Sequence, residues 1–224
     1  MTAKKTNGSD QTVLGKYVFL DIVSYSHNRT VEAQSYIIDV FNKIVKDALH
    51  QSKIIEKQRI LIPTGDGVCI ALLNINEPYD AHMEVALKIL ELLHKHNQME
   101  KDEMRQFQVR IGINENTDNL IIDINGNKNV AGAGITEAQR IMDQGEPNTI
   151  LVSHTVHNHL YQREKYINKF KSYSVVVKHN QKIEVQQYLD SELEFINSGE
   201  IKTTTHFFDA LKIQTGKLKE KILS

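Results

Sequence analysis

Two carboxylates set among apolar residues are the first side chains in this chain that could do chemistry. Asp66 lies in Thr64-Gly65-Asp66-Gly67, between the apolar runs Ile60–Ile62 and Val68–Leu72. Strand, short glycine-containing turn and strand are the marks of a β-hairpin. Asp66 then stands at the hairpin tip, rigidly placed and open to a ligand, or else it simply serves the turn, a common use of Asp-Gly. Asp21 interrupts Lys16-Tyr17-Val18-Phe19-Leu20-Asp21-Ile22-Val23, which otherwise reads as a buried strand. An acid in such a run is costly unless it is paired, caps a helix or binds a cation. On neighbouring elements, the two carboxylates make the hard-oxygen half of a divalent-metal site. Phosphoryl-transfer centres that hold two cations about 3.5–4 Å apart need acids of this kind.

The elements that must position these acids follow from apolar periodicity. Residues 1–12 read as a disordered lead-in, and Tyr17–Val23 as the first strand. Ser24–Thr30 is a polar loop with one guanidinium, Arg29. Thr30 starts a helix over Val31–Gln51, whose Ile37, Ile38, Val40, Phe41, Ile44, Val45, Ala48 and Leu49 form a helical stripe. Donors at that polar helix start could face a phosphate. A second amphipathic helix is expected from Pro78 to Asn97. Phe107–Ile113 alternates as a strand, with Leu120–Ile124 as its partner and Asn114–Asn119 as the polar turn between them. A glycine-rich loop, Asn125–Gly134, feeds a helix over Ile135–Asp143. Thr149–Val152 reads as a strand and Ser153–Leu160 as a short helix. Tyr173–Lys178 and Ile183–Tyr188 read as a closing hairpin around His179-Asn180-Gln181. The order βαββαββαβ predicts an α+β domain over residues 13–190, a mixed sheet covered by helices. Residues 191–224 read as an appended segment for packing or partner contact, with a basic helix-like end at Leu211–Leu223.

Composition excludes several classes. With 27 Lys and Arg against 28 Asp and Glu, bulk electrostatics gives no basis for nucleic-acid binding. The ten histidines lack metal-ligand spacing. Cys69, the single cysteine, sits in an apolar run as a core residue, and one thiol allows no internal disulfide, as in a reducing compartment. The polar N-terminus carries no apolar signal region and no run is long enough to span a bilayer. A cytoplasmic protein with no membrane or nucleic-acid partner is expected.

Several stretches together resemble the catalytic domain of the class III nucleotidyl cyclases, the adenylate and guanylate cyclases. They are Val18-Phe19-Leu20-Asp21-Ile22-Val23, Thr64-Gly65-Asp66-Gly67, Val109-Arg110-Ile111-Gly112-Ile113, Ile135-Thr136-Glu137-Ala138-Gln139-Arg140 and Thr149-Ile150-Leu151-Val152-Ser153. Each is short, but their order and spacing agree over Tyr17–Tyr188. The resemblance implies a palm-like, ferredoxin-like βαββαβ domain working as a head-to-tail homodimer with active sites at the interface. It implies that Asp21 and Asp66, with the backbone of Ile22, hold two Mg²⁺ or Mn²⁺ ions per site. These would activate the ribose 3′-hydroxyl of a nucleoside triphosphate for attack on the α-phosphate, with pyrophosphate leaving. Ser24, Tyr25, Ser26 and Arg29 would cradle the outer phosphates. Family members supply a transition-state pair from the opposite protomer, an Asn and an Arg four residues later on one helix face. Those positions here are Thr136 and Arg140. Thr136 departs from the pattern, since a hydroxyl reaches less far than a carboxamide.

The positions that read the base depart further. Adenylate cyclases place a Lys three residues before the glycine of the second metal motif and an Asp seven before the Asn position; guanylate cyclases place a Glu at the first. Here they are Ile62 and Asn129. A purine edge loses its charged partners, while the Asn129 carboxamide suits the smaller face of uracil or cytosine. The wording Asn28-Arg29-Thr30-Val31-Glu32-Ala33-Gln34-Ser35, Ile62-Pro63-Thr64-Gly65-Asp66-Gly67 and Asn129-Val130-Ala131-Gly132-Ala133-Gly134-Ile135 resembles the stand-alone bacterial pyrimidine cyclases of the Pycsar anti-phage systems. That implies UTP or CTP as substrate and cyclic UMP or cyclic CMP as an alarm for a separate effector. A purine cyclase with relaxed recognition, and a degenerate cyclase fold that binds nucleotide or a protein partner without chemistry, are the alternatives. Polymerases and diguanylate cyclases also set two acids on a palm-like sheet but lack the later motifs.

Overall fold

A computed structural model describes residues 11–177 and 181–201. The apolar run around Asp21 becomes β1 (Thr12–Ile22), a central strand paired antiparallel on both sides. Its neighbours are β3 (Gly67–Leu73), which closes the hairpin with β2 (Arg59–Pro63), and the long β4 (Val109–Ile122). Beyond β4 come β6 (Ile150–Ser153), β8 (Gln181–Tyr188) and β7 (Phe170–Val177); a short β5 (Lys128–Ala131) pairs with the end of β4. The sheet is mixed, because β6 runs parallel to β4. The expected helix-covered mixed α+β sheet is the one observed.

Alternation along β1 sorts its side chains onto two faces. Val18, Leu20 and Ile22 enter the large core under α1 (Val31–Gln51) and α2 (Ala81–Met99), together with Val156 and Leu160 of α4 (His154–Leu160). Tyr17 and Phe19 point the other way, into a second core with Cys69, Ala138 and Met142 under α3 (Ala133–Met142). Thr30 caps α1, its hydroxyl accepting from the Ala33 amide at 3.3 Å.

The region after Ile113 differs from expectation. Asn114–Asn119 is not a turn: β4 runs straight through it, paired with Thr12–Tyr17 of β1, and Leu120–Ile122 continues the same strand. Three of its polar residues, Asn114, Glu115 and Asp118, are buried and partnered. Asn114 donates to the Gly134 carbonyl at 3.2 Å, and Glu115 meets Lys16 and His159. The chain reverses instead at Asp123–Asn127, where the Asp123 carboxylate accepts from the amides of Asn125 and Asn127. β5 lies inside the stretch expected as a glycine-rich loop. β1 begins at Thr12, earlier than expected, and α2 at Ala81, later. Residues 191–201 pack against the domain through Ile196 and Ile201, with Asn197 donating to the Pro147 carbonyl at 3.0 Å. The lead-in over residues 1–10, the turn at 178–180 and the helix-like end at Leu211–Leu223 lie outside the described residues. Among the described residues no helix is long and apolar enough to cross a membrane.

Candidate active site

Strand register brings the backbones of the two acids together. Asp21 faces Gly67 across the β1–β3 ladder, one residue from Asp66, and the Ile22 amide donates to the Asp66 carbonyl at 3.2 Å. The hairpin tip is closed by the Thr64 amide on the Gly67 carbonyl at 3.0 Å, and Gly65 takes φ +96°, a conformation open mainly to glycine. On its other side Asp21 faces Arg110 of β4, whose Nη2 donates to Oδ2 at 2.6 Å. The sheet therefore already sets one positive charge on Asp21. Two carboxylates that no His or Cys joins in a metal-binding group among the described residues suit a hard cation. Among the described residues no group of three or more His, Cys, Asp or Glu forms a closed metal cage. Further ligands for Mg²⁺ or Mn²⁺ at Asp21 and Asp66 would be backbone carbonyls and substrate oxygens, and the open, oxygen-only pair fits that use.

The loop after β1 folds back on Arg29. Its guanidinium donates to the carbonyls of Ser24 at 2.5 Å, Tyr25 at 3.1 Å, Gln106 at 3.0 Å and Met104 at 3.1 Å. That side chain shapes the loop from within, and Ser24 and Ser26 are left exposed. Tyr25 packs on the main core. On the opposite side of the sheet, α3 lies across β1 and β4. Thr136 is exposed and Arg140 half-buried one turn along. By alternation Asp21 shares the α3 face with Tyr17 and Phe19.

The two base-reading positions also lie on neighbouring elements. Ile62, paired with Cys69, packs on the second core, and β5, which carries Asn129, lies against β2. The Asn129 Oδ1 accepts from the Val130 amide at 2.7 Å. A backbone N–H can only donate, so the atom facing it is the oxygen, and Nδ2 remains as a donor.

Two residues of this region had no role assigned from sequence. Arg110 was visible only as a cation inside an apolar strand, and its pairing with Asp21 depends on the register of β1 against β4. Asp118 was hidden in the stretch expected as a turn; it is buried and bonded to Tyr17 and to the first turn of α3.

The family model for the adenylate and guanylate cyclase catalytic domain matches residues 13–205. No curated protein matches the chain in sequence. Among solved structures, the fold is similar to the guanylate cyclase domain of RhGC from Catenaria anguillulae in complex with GTP, at 15% identity and TM-score 0.60, covering 80% of this chain and 97% of that one. It is also similar to an adenylate/guanylate cyclase/hydrolase from Silicibacter pomeroyi, at 20% identity and TM-score 0.60, covering 81% and 99%. The adenylyl cyclase CyaB from P. aeruginosa aligns at 16% identity and TM-score 0.58, covering 81% and 96%. Likenesses this distant in sequence speak for the fold, whereas the family match spans most of the chain. With two acids joined across β1 and β3 and a helix bearing Thr136 and Arg140 on the same sheet face, the chain belongs to the adenylate and guanylate cyclase catalytic domain family.

Proposed function

We propose that this protein is a pyrimidine nucleotide cyclase that converts UTP, in preference to CTP, into the 3′,5′-cyclic nucleotide and pyrophosphate. Two divalent ions held by Asp21 and Asp66, with the backbone of Ile22, would lower the pKa of the 3′-hydroxyl and neutralise the triphosphate. The remaining work belongs to the chain. Ser24, Ser26 and the amides of the loop that Arg29 braces meet the outer phosphates, and Arg110 adds positive charge beside them. In a head-to-tail homodimer, Thr136 of the opposite protomer orients the ribose. Arg140 from that protomer faces the charge that develops on the α-phosphoryl group.

The Asn129 hydrogen bond carries the choice of base. With Oδ1 engaged by Val130, the side chain offers a donor. The 4-oxo group of uracil accepts from it, whereas the 4-amino group of cytosine presents a second donor and is rejected. Ile62 leaves no charged partner for a purine edge. The relatives named above are adenylyl and guanylyl cyclases, which favours a purine cyclase as the second reading. The resemblance to the Pycsar enzymes assigns the cyclic product the part of an anti-phage signal to a separate effector.

The test is product formation by purified protein with Mn²⁺ and each of the four ribonucleoside triphosphates separately, followed by mass spectrometry. Cyclic UMP as the main product is expected. Cyclic AMP or cyclic GMP alone overturns the pyrimidine reading, and no product from any triphosphate moves the protein to nucleotide binding without chemistry.

A further inference from the structure

α3 presents both Thr136 and Arg140, yet its own sequence does not cap it. The N-cap residue is Gly132, which has no side chain to give. The cap comes from another element. Asp118 of β4 is only 5% exposed, and its Oδ2 accepts from the Gly134 amide at 3.2 Å and from the Tyr17 hydroxyl at 2.6 Å. Its Oδ1 accepts from Asn116 Nδ2 at 2.5 Å. Three donors converge on one enclosed carboxylate, which offsets its loss of water and places negative charge at the positive end of the helix.

The surroundings are cut to admit this group. A Cβ at Gly132 would overlap Asp118 Oδ1, and one at Gly134 would overlap both Asp118 Oδ2 and the Tyr17 ring. Tyr17 is itself wholly buried. Burial first, and then the carboxylate beside it, hold the Tyr17 hydroxyl far above its ordinary pKa, so it stays a donor. Tyr17 also stands on β1, four residues before Asp21 and on the same face. One buried pair thus ties the strand that carries a metal acid to the helix that carries Thr136 and Arg140.

We propose that Asp118, held by Tyr17, is a positioning residue for cyclisation, fixing the height and rotation of α3 on β1 and β4 and with them the reach of Thr136 and Arg140. What those two side chains do rests on the cyclase reading above. Groups that act on a transition state must be held to within about 0.5 Å, and a helix start free to slide on the sheet would not hold them so. The chemistry of the site separates positioning from simple packing. An amide at position 118 keeps an oxygen for Gly134 and Tyr17 if its NH₂ turns to Asn116, whose own carboxamide can reverse. Alanine keeps nothing.

The experiment uses the full chain as Asp118→Ala, Asp118→Asn and Tyr17→Phe. It measures kcat and KM with the preferred triphosphate, Mn²⁺ binding without nucleotide by electron paramagnetic resonance, and amide hydrogen exchange. Asp118→Ala is expected to lower kcat about a hundredfold while KM and Mn²⁺ affinity stay within about threefold. Amides of α3 should exchange faster while those of the β2–β3 hairpin keep their protection. Asp118→Asn should recover kcat to within about tenfold of wild type. Tyr17→Phe, which fills the same space, should fall between the two and serves where the alanine variant does not fold. A folded Asp118→Ala protein with kcat within about twofold of wild type overturns the proposal. So does a kcat loss matched by equal loss of Mn²⁺ binding and hairpin protection, the mark of general loosening. If wild-type protein turns over no triphosphate, the cyclase reading fails by itself. Exchange alone then decides the clamp, and unchanged α3 protection in Asp118→Ala, or in Tyr17→Phe should that variant not fold, sinks it.

Discussion

The carboxylate of Asp21 has two claimants. Arg110 holds its Oδ2 at 2.6 Å, and a divalent cation at this site would draw on the same carboxylate. Both side chains of the pair are partly open to water, at 28% and 22% exposure, so their attraction is screened and amounts to about 0–1 kcal/mol. On the cyclase reading the guanidinium would be a weak competitor, free to turn toward an incoming triphosphate. Arg110→Ala is expected to tighten Mn²⁺ binding without nucleotide by at most about fivefold and to raise the KM for triphosphate by about tenfold. Opposite signs in the two titrations are the signature; Mn²⁺ binding that weakens would mean that Arg110 supports the acids rather than competing for them. At Asn129 the argument is about donors and acceptors. Aspartate there would still accept from the Val130 amide, but would present a second acceptor to the base in place of an NH₂. Asn129→Asp should thus shift the ratio of kcat/KM for UTP over CTP toward CTP by about tenfold or more. Competition between the two triphosphates, read by product mass, checks it.

Elements were legible from sequence wherever burial follows hydropathy. The β2–β3 hairpin, α1, the body of α2, α3 and β6 all carry apolar periods that agree with their observed faces. β4 defeated that reading in its second half, because Asn114, Glu115 and Asp118 are polar and buried at once. Such residues look like a turn until their partners are known, and the partners lie on β1, α3 and α4. Arg110 and Asp118 were illegible for the same reason: cross-strand register and helix contact are not local properties of a sequence. The acids were legible because a charge inside an apolar run is conspicuous by itself. Gly112 belongs to the motif around Arg110, and packing explains it. A Cβ there would overlap the Ala138 carbonyl and the Met142 amide, both backbone atoms of α3. Gly112→Ala must therefore lift α3 off β4, an overpacking cost of about 1–3 kcal/mol. At about 2–4 °C per kcal/mol for a chain of this size, the melting temperature should fall by roughly 2–12 °C. Turnover should fall more than the lost stability accounts for, since α3 carries Thr136 and Arg140. A drop in melting temperature with kcat unchanged would detach the seating of α3 from the chemistry.

At the scale of the whole molecule, the proposed machinery is drawn from several elements of one chain. Asp21 and Asp66 meet at the β1–β3 end, while Thr136, Arg140, Ile62 and Asn129 sit on α3, β2 and β5. In a two-fold symmetric, head-to-tail dimer each site would draw its acids from one protomer and the second set from the other. That division makes a prediction which no single-chain site shares. Asp66→Asn and Arg140→Ala should each abolish turnover as pure homodimers, since every site then lacks one essential half. Mixed in equal amounts and allowed to exchange, half of the dimers become hybrid. Each hybrid has one site with both defects and one site with none. Activity should therefore return to about a quarter of the wild-type value, and should scale with the measured fraction of hybrid dimer. Neither Asp66 nor Arg140 is a core residue, and circular dichroism and the melting temperature of each homodimer should stay close to wild type. Hybrid dimers that form and stay silent would place all the essential groups of a site on one chain. Recovery in proportion to hybrid content would instead fix the opposite protomer as the source of Arg140.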